Sequence, residues 1–536
     1  MFLGRGNARM GLGELPGANA DAESARALAA AVGDRSAAAR GLRLLGRVAL
    51  AGDDHARAEK LLADALDQFR ALDEVSEAAE TLRLRGIVLL RAGDHARADR
   101  YINEAHATFE HLDDRTGVAW CLQSLAWLSF EQGFVAEAEA RLQSAIEAFG
   151  ELGNVVGLAT ARGLLAFLLF HSGKRDEAED MANDVRATVH ERGERFTEAM
   201  MDLLLGSIGL WSGRAGDALD RATMAEHVFR QVDSDFGVVQ ALALLGRAYA
   251  ALGELHRSRA VLAECLQRAL DMPGRPLERF ARAVRVGAAV QVGNPEGALE
   301  EVGRAVNRAG PRAPLVIGTL EQEVSEGLAL VQLGRAEEAV GKLEAVGEHA
   351  HDDAPSMYLD SSLALAYAAA GRTSDALASA DTTLAAGTGT YLDVRTALLA
   401  RALAHARSGN RAGMDEAFEQ ALVIIDGTDS RLSQAVARLA KALGNEATGS
   451  PAAAESRSEA ETALTALGAR PAGWETAFRL AAGLEVSPGP VVGPLPVPVP
   501  YSAHPSIVAG GAAPAASPAP AASPAPAAEA DSATRQ

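Results

Sequence analysis

A chain of 536 residues exceeds the size at which one hydrophobic core keeps growing, so several domains or a repeating array are expected. A formal charge of -20 and a pI near 5.1 argue against nucleic acid or an anionic membrane surface as the main partner. Two cysteines, Cys121 and Cys265, are too few for a disulfide framework, and no run of apolar residues is long enough for a membrane span, so a reducing, cytoplasmic setting is expected.

In chain order, the opening "MFLGRGNARMGLGELPG" lacks the unbroken apolar core of a signal peptide. From there small residues recur in phase. Gly46, Asp53, Ala58 and Ala65 are followed forty residues later by Gly86, Gly93, Ala98 and Ala105, then by Ala126, Gly133, Ala138 and Ala145. The same phase passes through Gly173, Gly213, Gly253 and Gly293; Val286 breaks the first slot of the last unit. Self-similarity at such a period marks a solenoid or an array. Within a unit, Leu122, Leu125 and Leu128 recur at helical spacing and define a helix A. The glycine ends that helix because its C-terminus needs a residue able to take φ > 0. Helix B follows, with an early alanine facing helix A where a bulky side chain would push the pair apart. Loops such as "LDDRTG" and "LGNVVG" lead from B to the next A.

This pattern of small residue, Gly, Ala, Ala resembles the tetratricopeptide repeat (TPR), over roughly residues 2–445. A period of forty rather than about 34 is similar to the longer-helix variety of kinesin light chains and of the sensor regions of bacterial LuxR-type and ATPase–adenylate cyclase regulators. Arginine as almost the sole basic residue fits a GC-rich bacterial origin. The resemblance implies an all-α, right-handed α-solenoid of about ten helix–turn–helix repeats. The tryptophan and tyrosine usual early in helix A are mostly leucine here.

Four regions are expected: a partial repeat at 1–34, a regular array at 35–310, degenerate repeats and a C-terminal cap including Trp474 at 311–484, and a disordered tail at 485–536. In the tail, "GPLPVPVPY" and "PAASPAPAASPAPAA" cannot supply the backbone donors of helix or sheet and favour polyproline II. The phase places Gly6, Gly13, Ala18 and Ala25 in a first unit, so the chain starts inside a helix A. That start fits either a piece of a longer protein or a frayed natural terminus.

Catalytic signatures fail one at a time. "HSGKRD" lacks the upstream glycine of a phosphate-binding loop, "GLGELPG" follows no strand, and neither HExxH nor CxxC occurs. "EHAHDDAP" gathers His349, His351, Asp352 and Asp353; a metal site and a solvated loop both fit, and the second is the commoner reading. No enzyme, cofactor or metal is expected.

The resemblance further implies that helix A lines a concave face. Carried onto this chain, that register presents Arg40, Arg43, Arg47, Arg83 and Arg91 as a basic groove entrance. Beyond it come Trp120, Gln123, Trp127, Phe130, Phe167, Phe170, His171, Met200, Leu203, Leu210 and Trp211. Aromatic anchors in a concavity, with arginines beside them, suit a protein or peptide segment bearing carboxylates. The competing reading is that large residues merely fill the bend between successive A helices. The expected function is a non-enzymatic interaction scaffold or regulatory module; the alternative is the sensor or autoinhibitory arm of a signalling ATPase or transcription regulator.

Overall fold

In the computed structural model the described residues are 1–11, 14–272, 277–306, 317–349, 359–387 and 389–486. Their regular elements are all α-helices. The first pair is α1 (Phe2–Gly11) and α2 (Leu15–Val32). Helices of 17 residues then start every twenty: α3 (Arg35–Ala51), α4 (His55–Ala71), α5 (Val75–Arg91), α6 (His95–His111), α7 (Arg115–Glu131) and α8 (Val135–Glu151). The series continues through α9 (Val155–His171), α10 (Arg175–Glu191), α11 (Arg195–Trp211), α12 (Ala215–Gln231), α13 (Asp235–Ala251) and α14 (Leu255–Asp271). Lengths vary afterwards: α15 (Glu278–Gln291), α16 (Pro295–Val306), α17 (Ile317–Gln332), α18 (Ala336–His349), α19 (Leu359–Ala369) and α20 (Thr373–Ala386). The last are α21 (Tyr391–Arg407), α22 (Arg411–Asp426), α23 (Arg431–Ala447), α24 (Ala453–Leu467) and α25 (Pro471–Ala482). Helices α1 to α24 form twelve pairs where the glycine phase suggests about ten, because the degenerate stretch also pairs.

Local chemistry sets the boundaries. Gly93 and Gly133 take φ of 81° and 88° at the turn, while Asp53 occupies the same slot at φ 58°. Asp54 and Asp94 then accept the N–H groups of Arg57 and Arg97, capping α4 and α6. At Gly86 a Cβ would stand 2.5 Å from Ile102, so only a small residue lets α5 and α6 close. Phe69, Phe109, Phe149 and Phe229 are buried and carry the B helices against the next repeat.

Each helix packs on its sequence neighbours, and the odd-numbered helices also touch one another from repeat to repeat; no two successive even-numbered helices do so to a comparable degree. The odd-numbered helices therefore line the inner side of the curve. Over α15–α23 they approach one another more closely than over α1–α9. The final helix, α25, does not continue the stack by pairing; it packs against α17, α19, α21 and α23. Its Trp474 Nε1 donates to the Gln291 carbonyl at 2.9 Å, and the Leu480 carbonyl accepts from Arg407 at 2.7 Å.

A further set of contacts joins residues about two hundred apart. Asp53 Oδ2 accepts the Phe236 N–H at 2.8 Å, Arg175 donates to the Gly389 carbonyl, and Asp429 accepts the N–H groups of Ala215 and Gly216, each at 2.7 Å. In each case the turn inside one helical pair docks on the loop between two later pairs. Among the described residues no helix is long and apolar enough to cross a membrane. Residues 487–536, with the proline-rich segments, and residues 350–355 of "EHAHDDAP" lie outside the described residues.

Candidate interaction surface

The inner helices α7 and α9 bring one group of the expected side chains together. Trp127 lies 5.6 Å, centroid to centroid, from both Phe130 and Phe167, and Phe130 and Phe167 are 5.6 Å apart. His171 joins them, 4.4 Å from Phe167 and 5.7 Å from Phe130. All four are half-buried. These spacings suit edge-on and tilted ring pairs. The Trp127 indole N–H donates to Glu131 at 2.7 Å, and Glu131 also holds His95 at 2.8 Å. Burial first, then the charge of Arg247, pushes His171 down to about 3, so its ring is neutral at pH 7. Its Nδ1 has no hydrogen-bond partner. The three rings, with Ala126, Leu142, Leu164 and Leu168, enclose about 10 Å³, so a partner would meet their exposed edges rather than enter between them.

Other expected residues are placed differently. Trp120 packs edge-on against Phe149 at 4.9 Å with Arg83 over its ring at 5.5 Å. Gln123, Phe170, Leu203, Leu210 and Trp211 are buried, and Met200 is half-buried against the same core. Arg247 lies 5.4 Å over the Trp211 ring and pairs with Glu321 at 2.7 Å. The gap among Trp211, Arg247, Gln291, Glu321 and Tyr391 is about 20 Å³, room for roughly one water. The inner face is thus packed shut from α11 onward.

The arginines divide in the same way. Arg40 pairs with Glu77 at 2.9 Å, Arg43 with Glu77 at 2.5 Å, and Arg83 with Glu80 at 2.7 Å. Among the described residues Arg47 hydrogen-bonds the Asn7 amide oxygen, at 2.7 Å. Arg91 stands 3.6 Å from Asp53. Burial lowers both Arg47 and Arg91, with Glu80 and Asp53 opposing it respectively. The basic entrance therefore reduces to Arg47, with Arg91 more loosely held by Asp53. The compensating glutamates were legible as an offset: Arg43–Glu77, Arg70–Glu104 and Arg230–Glu264 are all 34 apart, linking successive repeats. Cys121 is buried beside this face and its thiol is pushed up to about 12 by burial, so it is no nucleophile at neutral pH. No group of His, Cys, Asp or Glu that could hold a metal ion occurs among the described residues.

The comparisons with known proteins agree with this architecture. Residues 77–149 match the family model described as tetratricopeptide repeat. The Rap protein complexed with Competence and Sporulation Factor is similar at a TM-score of 0.50 and 13% identity, covering 65% of this chain and 96% of that one. NprR in complex with its cognate peptide NprX is similar at a TM-score of 0.46 and 15% identity, covering 65% and 97%. A signal-transduction ATPase with a tetratricopeptide repeat sensor from Pyrococcus horikoshii gives 0.36 and 14%, covering 58% and 49%. No curated protein matches in sequence.

Proposed function

We propose that this chain, a tetratricopeptide-repeat protein, is an interaction module that binds a peptide or protein segment on the inner face of α3–α9 without catalysing a reaction. The observation that carries this reading is the half-buried aromatic group of Trp127, Phe130, Phe167 and His171 on two successive inner helices. Rings that keep exposed edges while their faces are packed are pre-ordered anchors, and they offer contact area at little further entropic cost. Arg47 and Arg91 stand toward the N-terminal side of the same face. A segment with apolar side chains near one end and a carboxylate near the other would match it. The Rap structure, which shares the fold, holds a bound factor; that likeness supports a bound segment here and says nothing of its identity.

The alternative, that these rings only fill the bend, loses ground to the neighbouring repeats. Where the bend closes, at Trp211, the ring is buried under Arg247; at Trp127 and Phe167 it is not. The test is affinity capture with the parent chain and with a Trp127→Ala, Phe167→Ala double variant, both first shown to have matching helical circular dichroism. A partner held by the parent and lost by the variant supports the reading. Identical capture by both baits places binding elsewhere and ends it.

A further inference from the structure

The long-range contacts define a seam with two sides: the turn within a helical pair on one, the loop between pairs on the other. Where the loop before α13 is docked, its apolar residue at the end of α12 is covered. Val232, beside the loop held by Asp53, is 5% exposed. One loop earlier that position holds Arg192; two and three loops earlier it holds leucines that are left open. Leu112 and Leu152 are each 40% exposed, and with Val75, Val155 and Val156 they make an apolar strip along the loop edge of α4–α9. No turn docks on these loops among the described residues.

The turn side shows the complementary imbalance. The open sides of Gly213 and Gly253 are filled by Thr428 and Leu467, the loops docked on them. Gly409 and Gly449 hold the same left-handed conformation, φ 74° each, with nothing within 4 Å of a Cβ placed there. Among the described residues, one copy of the chain therefore carries unfilled turns at Gly409 and Gly449, as at Gly93, and uncovered loops toward its N-terminal end, each in the conformation that elsewhere in the same chain mates with the other.

We propose that the loop edge around Leu112, Leu152 and Val155 is a docking surface for a second copy of this chain, which seats its turns at Gly409 and Gly449 there. The contact continues the intramolecular seam between molecules, with the same chemistry of apolar cover and capped helix N-termini. Its two faces differ, so it is head-to-tail and can propagate rather than close at a two-fold dimer.

The test is sedimentation velocity of the full chain over a wide concentration range. A loop variant, Leu112→Glu with Leu152→Glu, and a turn variant, Ala412→Arg with Ala452→Arg, are run beside it. Ala412 and Ala452 are exposed, and Ala412 matches Gly216, where Asp429 docks, so neither change touches the core. The parent is expected to gain mass with concentration and each variant to stay monomeric with unchanged thermal melting. An equimolar mixture of the two variants, which together hold one intact face of each kind, is expected to reach twice the monomer mass and stop. A parent that is monomeric throughout overturns the proposal. So does a turn variant that still dimerises alone, since the strip would then meet its own copy or another partner.

Discussion

The stretch α3–α14 and the stretch α15–α25 are made of the same helical pair, yet they end in different states. In the first, every helix has 17 residues, the buried residues fall into several clusters of a few neighbouring helices each, and the inner helices stand apart. In the second, lengths vary, the inner helices close on one another, and one cluster runs from α13 to α25. What fills the inner face differs too. In the second stretch it is the chain's own α25, with Trp474 and Phe478 buried; in the first it is half-buried rings and two arginines. A strict repeat keeps its groove, because neighbours supply only nearest-neighbour contacts. Irregular pairs that must still bury their apolar stripes do so by curling and recruiting a further helix.

The largest expected effect breaks that contrast at its centre. Phe478→Ala should cost about 3–5 kcal/mol, and hydrogen exchange should show protection lost across α17–α23 while α3–α8 keep theirs. Phe149→Ala, of similar local cost, should loosen only α7–α10. Next, Glu301 is buried among Arg282, Arg285 and Arg304. Glu301→Ala should leave Arg282 buried with Glu278 as its remaining partner and cost about 2–3 kcal/mol in chemical denaturation.

A pH-dependent effect of comparable size at pH 4 belongs to the first stretch. His171 titrates near 3 when folded and near the ordinary 6.5 when unfolded. Below about pH 6.5 the unfolded chain takes up a proton that the folded one refuses, so stability falls as pH falls, and above it the group contributes nothing. The slope should approach about 1.4 kcal/mol per pH unit between pH 6 and 4, and thermal melts of His171→Phe should lose that component. Trp127→Ala, acting on a half-buried ring, should cost only about 1–2 kcal/mol while abolishing partner capture. Smallest of all, native Cys121 and Cys265, both buried and pushed up to about 12, should resist thiol labelling at pH 7 until the chain is denatured.

Much of this was legible beforehand. The forty-residue phase located the helices and turns of α3–α14 because one small residue per pair is a steric necessity, as Ile102 against Gly86 shows. The register of helix A placed Trp120, Trp127, Phe167 and Trp211 on one surface, whereas the structure groups Trp127 and Phe167 with Phe130 and His171 and sets Trp120 against Phe149 and Trp211 under Arg247. That register could not separate Phe130 from Phe170 and Leu210, or His171 from Trp211, which hold the same register and are buried. That difference comes from how tightly the inner helices close, which sums small changes over many repeats.

The sequence by itself determined the repeating unit: where each helix stops, which face it buries, and that the result is an all-α array, because caps, turns and periodicity act over a few residues. Only the tertiary structure decided which inner positions stay open, which arginines lose their field to Glu77 and Glu80, and which loops meet turns two hundred residues away. Those outcomes depend on curvature, and curvature is a property of the whole stack rather than of any repeat in it.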